Sequence, residues 1–469
     1  MSSFIHHRMR TRSSRDWIGL VAALLTISLP SSAQGPDLAG DWHGTLKTGL
    51  VELRLVLHIV KHGDGSLGAT LDSIDQGAMA IPVSSIAIHD SSVIFKVDAV
   101  RGSFEGRLND TGSAMEGTWS QAGGSLPLRL EPFKDGNAFA LRRPQNPVKP
   151  YPYREEEVEY PNASARISLA ATLTVPTGRG PFPAVLLITG SGAQDRDESL
   201  MGHRPFLVLA DYLTRRGIAV LRADDRGVGR SGGTFADATT ADFATDAEAG
   251  VAFLMTRTEV DRRKIGLIGH SEGGAIAPMV AARNRDVAFI VMMAGPGVPG
   301  DQIVVAQSVL LSQAAGLSRE QAEQNGSRQA QILAAVKQER NGVDLEKRLS
   351  EMLREIPEPQ RGAQIKALTS PWYRYFLAYD PASALKRVTC PVLAINGERD
   401  LQVPPRLNLP AIRKALEEGG NHHGEIAELP GLNHLFQTAK TGAVSEYAQI
   451  EETISPLALE RITTWILRQ

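Results

Sequence analysis

Across residues 40–132, apolar residues occupy alternate positions in short runs divided by Gly, Asp and Ser, a period of two that predicts strands rather than helices. Leu53, Leu55, Leu57 and Ile59 share one face of such a strand, and His62-Gly63-Asp64-Gly65 ends it. Runs at 93–97, 102–108 and 126–130 repeat the pattern, and Gly40-Asp41-Trp42 is echoed by Gly117-Thr118-Trp119. These residues predict a small antiparallel β-sandwich or barrel over 36–141. Its Gly and Trp positions read as turns and core rather than ligand contacts.

The pattern changes after residue 142. Pro144, Pro147, Pro150 and Pro152 fall within a polar stretch that cannot hold a helix or a central strand, so 142–152 is expected to be an extended linker. Beyond it, two short strands at 155–159 and 166–175 precede apolar runs at 184–189, 219–222, 264–268, 289–293, 392–396 and 425–429. Amphipathic segments separate most of these runs, as in a mainly parallel, doubly wound α/β sheet over 153–469. Between 300 and 382 the rhythm breaks into an Ala-, Gln-, Glu-, Leu- and Arg-rich stretch that predicts several helices. An insertion placed after a strand would lie over the carboxyl ends of the sheet, where open α/β sheets bind ligands. It is therefore expected to form a cap, with Trp372, Tyr375 and Phe376 near its end lining a pocket for an acyl or aromatic group, or else packing inside the cap.

Length and composition narrow the classes. A chain of 469 residues has room for two domains, and 42% hydrophobic with 22% charged residues fits a folded globular protein. The formal net charge of −2 supplies no basic field for nucleic acid or an anionic membrane. Arg8, Arg10, Arg12 and Arg15 precede an apolar run at 17–29, and Ser31-Ser32-Ala33 offers a cleavage site, so residues 1–33 read as a signal peptide for export to the periplasm or beyond. The run is short for a membrane span, so no stable membrane insertion is expected after cleavage; retention as an anchor is the alternative. Cys390 is the only cysteine, forms no internal disulfide, and precedes an apolar strand where packing is its expected role.

Candidate chemistry centres on Gly269-His270-Ser271-Glu272-Gly273, which follows a strand and precedes a helix-compatible run. In G-x-S-x-G the glycines make room for a tight strand-to-helix turn that lifts the serine hydroxyl out of the sheet, beside the positive end of the helix. Ser271 is thus the candidate nucleophile. A serine needs a base, and the base an orienting acid, each on a loop after a later strand. Gly397-Glu398-Arg399-Asp400 offers Asp400, with Glu398 the competitor, and Pro430-Gly431-Leu432-Asn433-His434 offers His434. His422 and His423 precede their strand and belong to a polar turn. The developing oxyanion requires amide donors: the N–H of Glu272 and one from Ser191 or Gly192 in Gly190-Ser191-Gly192-Ala193-Gln194-Asp195-Arg196-Asp197. The Glu272 carboxylate is expected to turn away from that oxygen, and Asp195, Arg196 and Asp197 to tie the loop together. Gly227-Val228-Gly229-Arg230-Ser231-Gly232 matches the dinucleotide G-x-G-x-x-G but continues as a loop where a helix should begin, so it reads as a structural turn. No metal-ligand spacing or phosphate-binding loop is apparent, and no cofactor is implied.

With Thr189-Gly190-Ser191-Gly192, Gln194-Asp195-Arg196-Asp197, Asp225-Arg226-Gly227, Gly269-His270-Ser271-Glu272-Gly273-Gly274, Gly397-Glu398-Arg399-Asp400 and Asn433-His434, the chain resembles bacterial α/β-hydrolases. Those relatives are esterases or belong near the prolyl oligopeptidase and serine aminopeptidase groups. The resemblance runs from about residue 155 to the C-terminus and is nearest to exported esterases that carry a small β domain before the hydrolase. Ala193 stands where proline is common in that loop. The resemblance implies carboxylester hydrolysis through an acyl-enzyme, with Ser271, Asp400 and His434 as the triad and a small acyl ester as the partner molecule. Two alternatives remain open: a serine peptidase or amidase using the same triad, and a glycan- or lipid-binding exported protein whose hydrolase half is incidental.

Overall fold

The structure, a computed structural model, describes residues 38–48, 51–76, 78–121, 124–133 and 142–469. The expected signal peptide, residues 1–33, lies outside the described residues.

The first unit is a single nine-stranded antiparallel sheet: β1 (Gly40–Thr48), β2 (Val51–Lys61), β3 (Leu67–Ser73), β4 (Ala78–Pro82), β5 (Ser85–His89), β6 (Ser92–Val97), β7 (Gly102–Leu108), β8 (Met115–Gln121) and β9 (Gly124–Phe133). Its order is β4-β3-β2-β1-β9-β8-β7-β6-β5. The sheet curls on itself, because Trp42, Leu55 and Leu57 from one half share a core with Phe95, Phe104 and Trp119 from the other. Closing the sheet round one core buries the apolar face that the alternation creates.

The Pro-rich stretch 142–152 carries neither helix nor strand, yet it is not a free spacer. The Arg143 guanidinium donates to the carbonyls of Met201, Ala448 and Ile450, and the Gln145 side chain bonds the backbone of Thr453 and Ile454. These bonds fasten it to the second unit.

The second sheet contains β10 (Arg154–Asn162), β11 (Ile167–Val175), β12 (Phe182–Ile188), β13 (Ala219–Ala223), β14 (Val260–His270), β15 (Phe289–Met293), β16 (Val392–Gly397) and β17 (Gly424–Leu429). In space the order is β10-β11-β13-β12-β14-β15-β16-β17, with β11 antiparallel to both neighbours and β12 to β17 parallel. This is the sheet of an α/β-hydrolase. Its strands read as continuous apolar runs because both faces are covered. Val185 and Leu187 point into one core with α1 (Pro205–Thr214) and α11 (Pro456–Ile466), while Leu186 and Ile188 join the other with α2 (Thr240–Thr256), α3 (Gly273–Ala281) and α10 (Pro405–Glu418).

Between β15 and β16 the chain leaves the sheet as α4 (Gly300–Ala314), α5 (Arg319–Gln338), α6 (Gly342–Met352), α7 (Gln360–Thr369) and α8 (Pro371–Ala378), then returns through α9 (Ala382–Leu385). These helices bury a core of their own around Leu333, Val336, Leu345, Leu349 and Leu377. A reciprocal Ser318–Gln321 capping box starts α5. Cys390 is half-buried against the sheet core, and burial pushes its thiol up to about 11, where it has little nucleophilic character.

Candidate active site

The strand β14 ends at His270 and α3 begins at Gly273, so Ser271 and Glu272 make the whole turn. Ser271 holds φ at 52°, a left-handed value uncommon for a residue with a side chain. Its N–H donates to the Met293 carbonyl at 2.8 Å, which fastens the turn to β15. A Cβ at Gly269 would overlap the Gly273 carbonyl, and one at Gly273 would overlap that of Ile188. The packing of the turn therefore requires both glycines.

Asp400 follows β16 and is buried. Its Oδ1 accepts from the backbone N–H groups of Gln402 and Val403 at 2.8 and 2.9 Å, and its Oδ2 lies 2.8 Å from His434 Nδ1. A carboxylate in such bonds only accepts, so Nδ1 carries the proton and the lone pair of neutral His434 lies on Nε2. His434 sits in the loop after β17. That loop is braced by the buried Asn433, whose Oδ1 accepts from Leu435 and Gln437 N–H groups. Glu398 does not reach the histidine; its Oε2 accepts from Gly431 N–H at 2.8 Å and ties the two loops together. His422 and His423 lie before β17.

Ser271 and His434 open into one cleft of about 810 Å3, which is also lined by Ser191, Gly192, Glu272 and the cap. The loop after β12 comes so close to the nucleophile that a Cβ on Gly190 would lie 3.2 Å from that of Ser271. Among the described residues, the amides of Ser191, Gly192 and Glu272 meet no acceptor. The Glu272 carboxylate is taken up by the Thr240 hydroxyl at 2.7 Å and Trp372 Nε1 at 2.8 Å. Burial pushes that carboxyl above its ordinary range, against the hydrogen bonds from Thr240, Trp372 and Ser191.

The loop from Gly190 is held from behind by acidic groups. Glu198 Oε1 accepts from Gly190 N–H at 2.9 Å; Asp225 accepts from the Thr189 hydroxyl at 2.7 Å and from Gln194 N–H at 2.9 Å. Arg196 forks onto Asp224, Asp197 pairs with Arg222, and Asp195 Oδ1 accepts from the Asp197 and Ser199 amides. Residues 227–232 form a turn closed by Gly227 N–H to Gly232 carbonyl, with Arg226 paired to Asp246.

From the cap, Trp372 and Phe376 line the cleft as stacked rings with centroids 5.6 Å apart. Tyr375, expected beside them, does not. It stacks on Tyr379 and packs toward the sheet core, and Tyr373 takes its place in the cleft. The reason is helical phase: residues 372, 373 and 376 share one side of α8, whereas 375 and 379 share another. Sequence reasoning missed Glu198 and His270 as well. A histidine at the buried end of β14, one residue before the nucleophile, was the available signal.

Known proteins align with this part of the chain. The model of the X-Pro dipeptidyl-peptidase (S15) family matches residues 166–416, a segment that contains Ser271, Asp400 and the cap but not His434. Esterase EstD of Thermotoga maritima is 30% identical over 310 residues, which make up 64% of this chain and 66% of that protein, just under two thirds of its length. Among solved structures, the Pyrococcus furiosus esterase Pf2001 has a TM-score of 0.41 and 18% identity, covering 67% of this chain and 93% of that one. Est1E from Butyrivibrio proteoclasticus with bound ferulic acid has a TM-score of 0.40 and 18% identity, covering 66% and 98%.

Proposed function

We propose that this chain, which belongs to the X-Pro dipeptidyl-peptidase (S15) family, hydrolyses carboxylic esters through an acyl-enzyme on Ser271. The observation that carries the reading is the cleft itself: a serine on a strained turn, a histidine whose Nδ1 is held by a buried carboxylate, and unpaired amides beside them. His434 Nε2 takes the Ser271 proton as the hydroxyl oxygen attacks the ester carbonyl. Glu272 N–H, with Ser191 or Gly192 N–H, stabilises the oxygen as it becomes negative. The alcohol leaves with the proton from His434. Water, activated by the same nitrogen, then releases the acid and restores the serine. Asp400 holds the tautomer throughout.

Likeness to EstD supports an ester as substrate, and the apolar cap rings support an acyl or aromatic substituent. The S15 match favours a second reading, amide or peptide hydrolysis by the same groups. Rates on short-chain nitrophenyl esters, compared with those on X-Pro anilides, separate the two. Replacement of Ser271 by Ala should abolish ester hydrolysis; equal rates for wild type and variant would overturn the nucleophile assignment. Labelling of Ser271 by a fluorophosphonate would set aside a purely glycan- or lipid-binding role. The Arg-flanked apolar run at 17–29 supports export, tested by whether the mature N-terminus begins near residue 34.

A further inference from the structure

His270 is buried directly behind the base and touches two acceptors at once. Its Nδ1 lies 2.9 Å from Glu198 Oε1 and its Nε2 lies 3.0 Å from the main-chain oxygen of His434. A carbonyl oxygen cannot donate, so Nε2 must carry a proton. With Glu198 ionised, its Oε1, which also accepts from Gly190 N–H, can only accept from Nδ1. Both ring nitrogens therefore donate, and a ring that donates twice is an imidazolium.

We propose that His270 is a positioning residue, a buried imidazolium held by Glu198 that fastens the main chain of His434 to the loop supplying the oxyanion amides. Three bonds form the link: Gly190 N–H to Glu198, His270 to Glu198, and His270 to the His434 carbonyl. The charge is what allows the third bond to coexist with the second, because a neutral ring has only one N–H. The titratable groups that act on the ring are Glu198, His434 and Asp400, and the small cavity that His270 and Glu198 line is otherwise walled by apolar residues, including Phe206, Met293, Leu435 and Phe436. Burial works against the charged form, but the Glu198 charge and hydrogen bond, the His434 carbonyl and Asp400 outweigh it and raise the value.

This inference rests on the reading of His434 as base, yet its first test does not involve catalysis. In the full-length protein labelled with 15N-histidine, with His270 assigned by comparison with His270→Gln, both ring nitrogens should show directly bonded protons at neutral pH. A single bonded proton would overturn the proposal, whether it arose from a neutral ring or from a proton lodged on Glu198. The second test uses Glu198→Gln, whose side-chain oxygen can still accept from Gly190 and His270 but bears no charge. With that charge gone and burial still opposing the charged ring, His270 should lose its extra proton at lower pH than in the wild type, and with it the bond to His434 as the pH rises. The ratio of variant to wild-type kcat on a nitrophenyl ester should fall about tenfold between about pH 6 and about pH 8, with KM little changed. A ratio constant with pH would show that Glu198 acts only by holding Gly190, and would overturn the charge-dependent link. If the wild type lacks esterase activity, the ester reading fails while the NMR result still decides the state of His270.

Discussion

Trp372 donates its indole N–H to Glu272 Oε1 at 2.8 Å, so helix α8 of the cap is bonded to the residue that follows the nucleophile. Trp372→Phe keeps an aromatic ring for Phe376 to stack on but deprives a buried carboxylate of one of its donors. Losing a hydrogen bond to a charged group costs roughly 1.5–3 kcal/mol. The variant should unfold at a lower temperature and should lose more kcat/KM on long-chain or aromatic acyl esters than on acetate. An unchanged selectivity between those esters would remove Trp372 from the substrate wall.

Asp400→Asn tests how His434 is oriented. The Asn oxygen can keep the two backbone donors at Gln402 and Val403, which turns the amide NH2 toward His434 Nδ1. The ring must then accept at Nδ1 and carry its proton on Nε2, where it can no longer take one from Ser271. By analogy with the corresponding change in serine proteases, kcat should fall about 10^4-fold, with a much smaller effect on folding. A loss of under about tenfold would mean that another group sets the tautomer.

Much of this architecture was legible in the chain because its signals are local. Two-sided burial wrote the parallel strands as apolar runs, and the glycines at 269 and 273 marked the turn around Ser271. What was not legible depends on rotation or on distance along the chain. Periodicity groups the residues of α8 into faces but does not say which face meets the cleft, so Tyr375 was expected where Tyr373 lies. The link between Glu198 and His270 joins residues 72 positions apart, and only the packing of the loop after β12 against the end of β14 brings them together. Proline content likewise identified an extended linker without revealing that Arg143 fastens it down.

Asp225 gives the fold a pH dependence of definite sign. Burial is the main cause that lifts its carboxyl from 3.8 to about 7, with Glu198 and Glu272 adding in the same direction against the bonds from Thr189 and Gln194. Between these two values the folded protein retains a proton that the unfolded chain releases, so this group makes stability fall as pH rises through that window and leaves it level above. Asp225→Asn should flatten that part of the profile. Denaturant unfolding of both proteins at about pH 5 and about pH 8 measures it; parallel losses in wild type and variant would exclude Asp225 as the source.

His58, in the β domain, is also raised, but by carboxylates that favour its charged form rather than by burial. Its Nδ1 lies 2.7 Å from Asp41 Oδ1 and its Nε2 3.0 Å from Asp72 Oδ2, so both nitrogens face carboxylates on the neighbouring strands. Burial pulls its value down, but the hydrogen bonds and charges of Asp72 and Asp41 outweigh it and raise the net value. A raised histidine contributes stability that is fully present below the unfolded value and disappears as pH rises through the folded one. The ring is about one-third exposed, so solvent screening should keep the contribution below about 1 kcal/mol. His58→Gln should therefore weaken hydrogen-exchange protection of β1, β2 and β3 relative to wild type in mildly acidic buffer, with the difference shrinking in alkaline buffer. A difference that grows with pH would mean that His58 is held as a neutral ring and that Asp41 and Asp72 are bound without its charge.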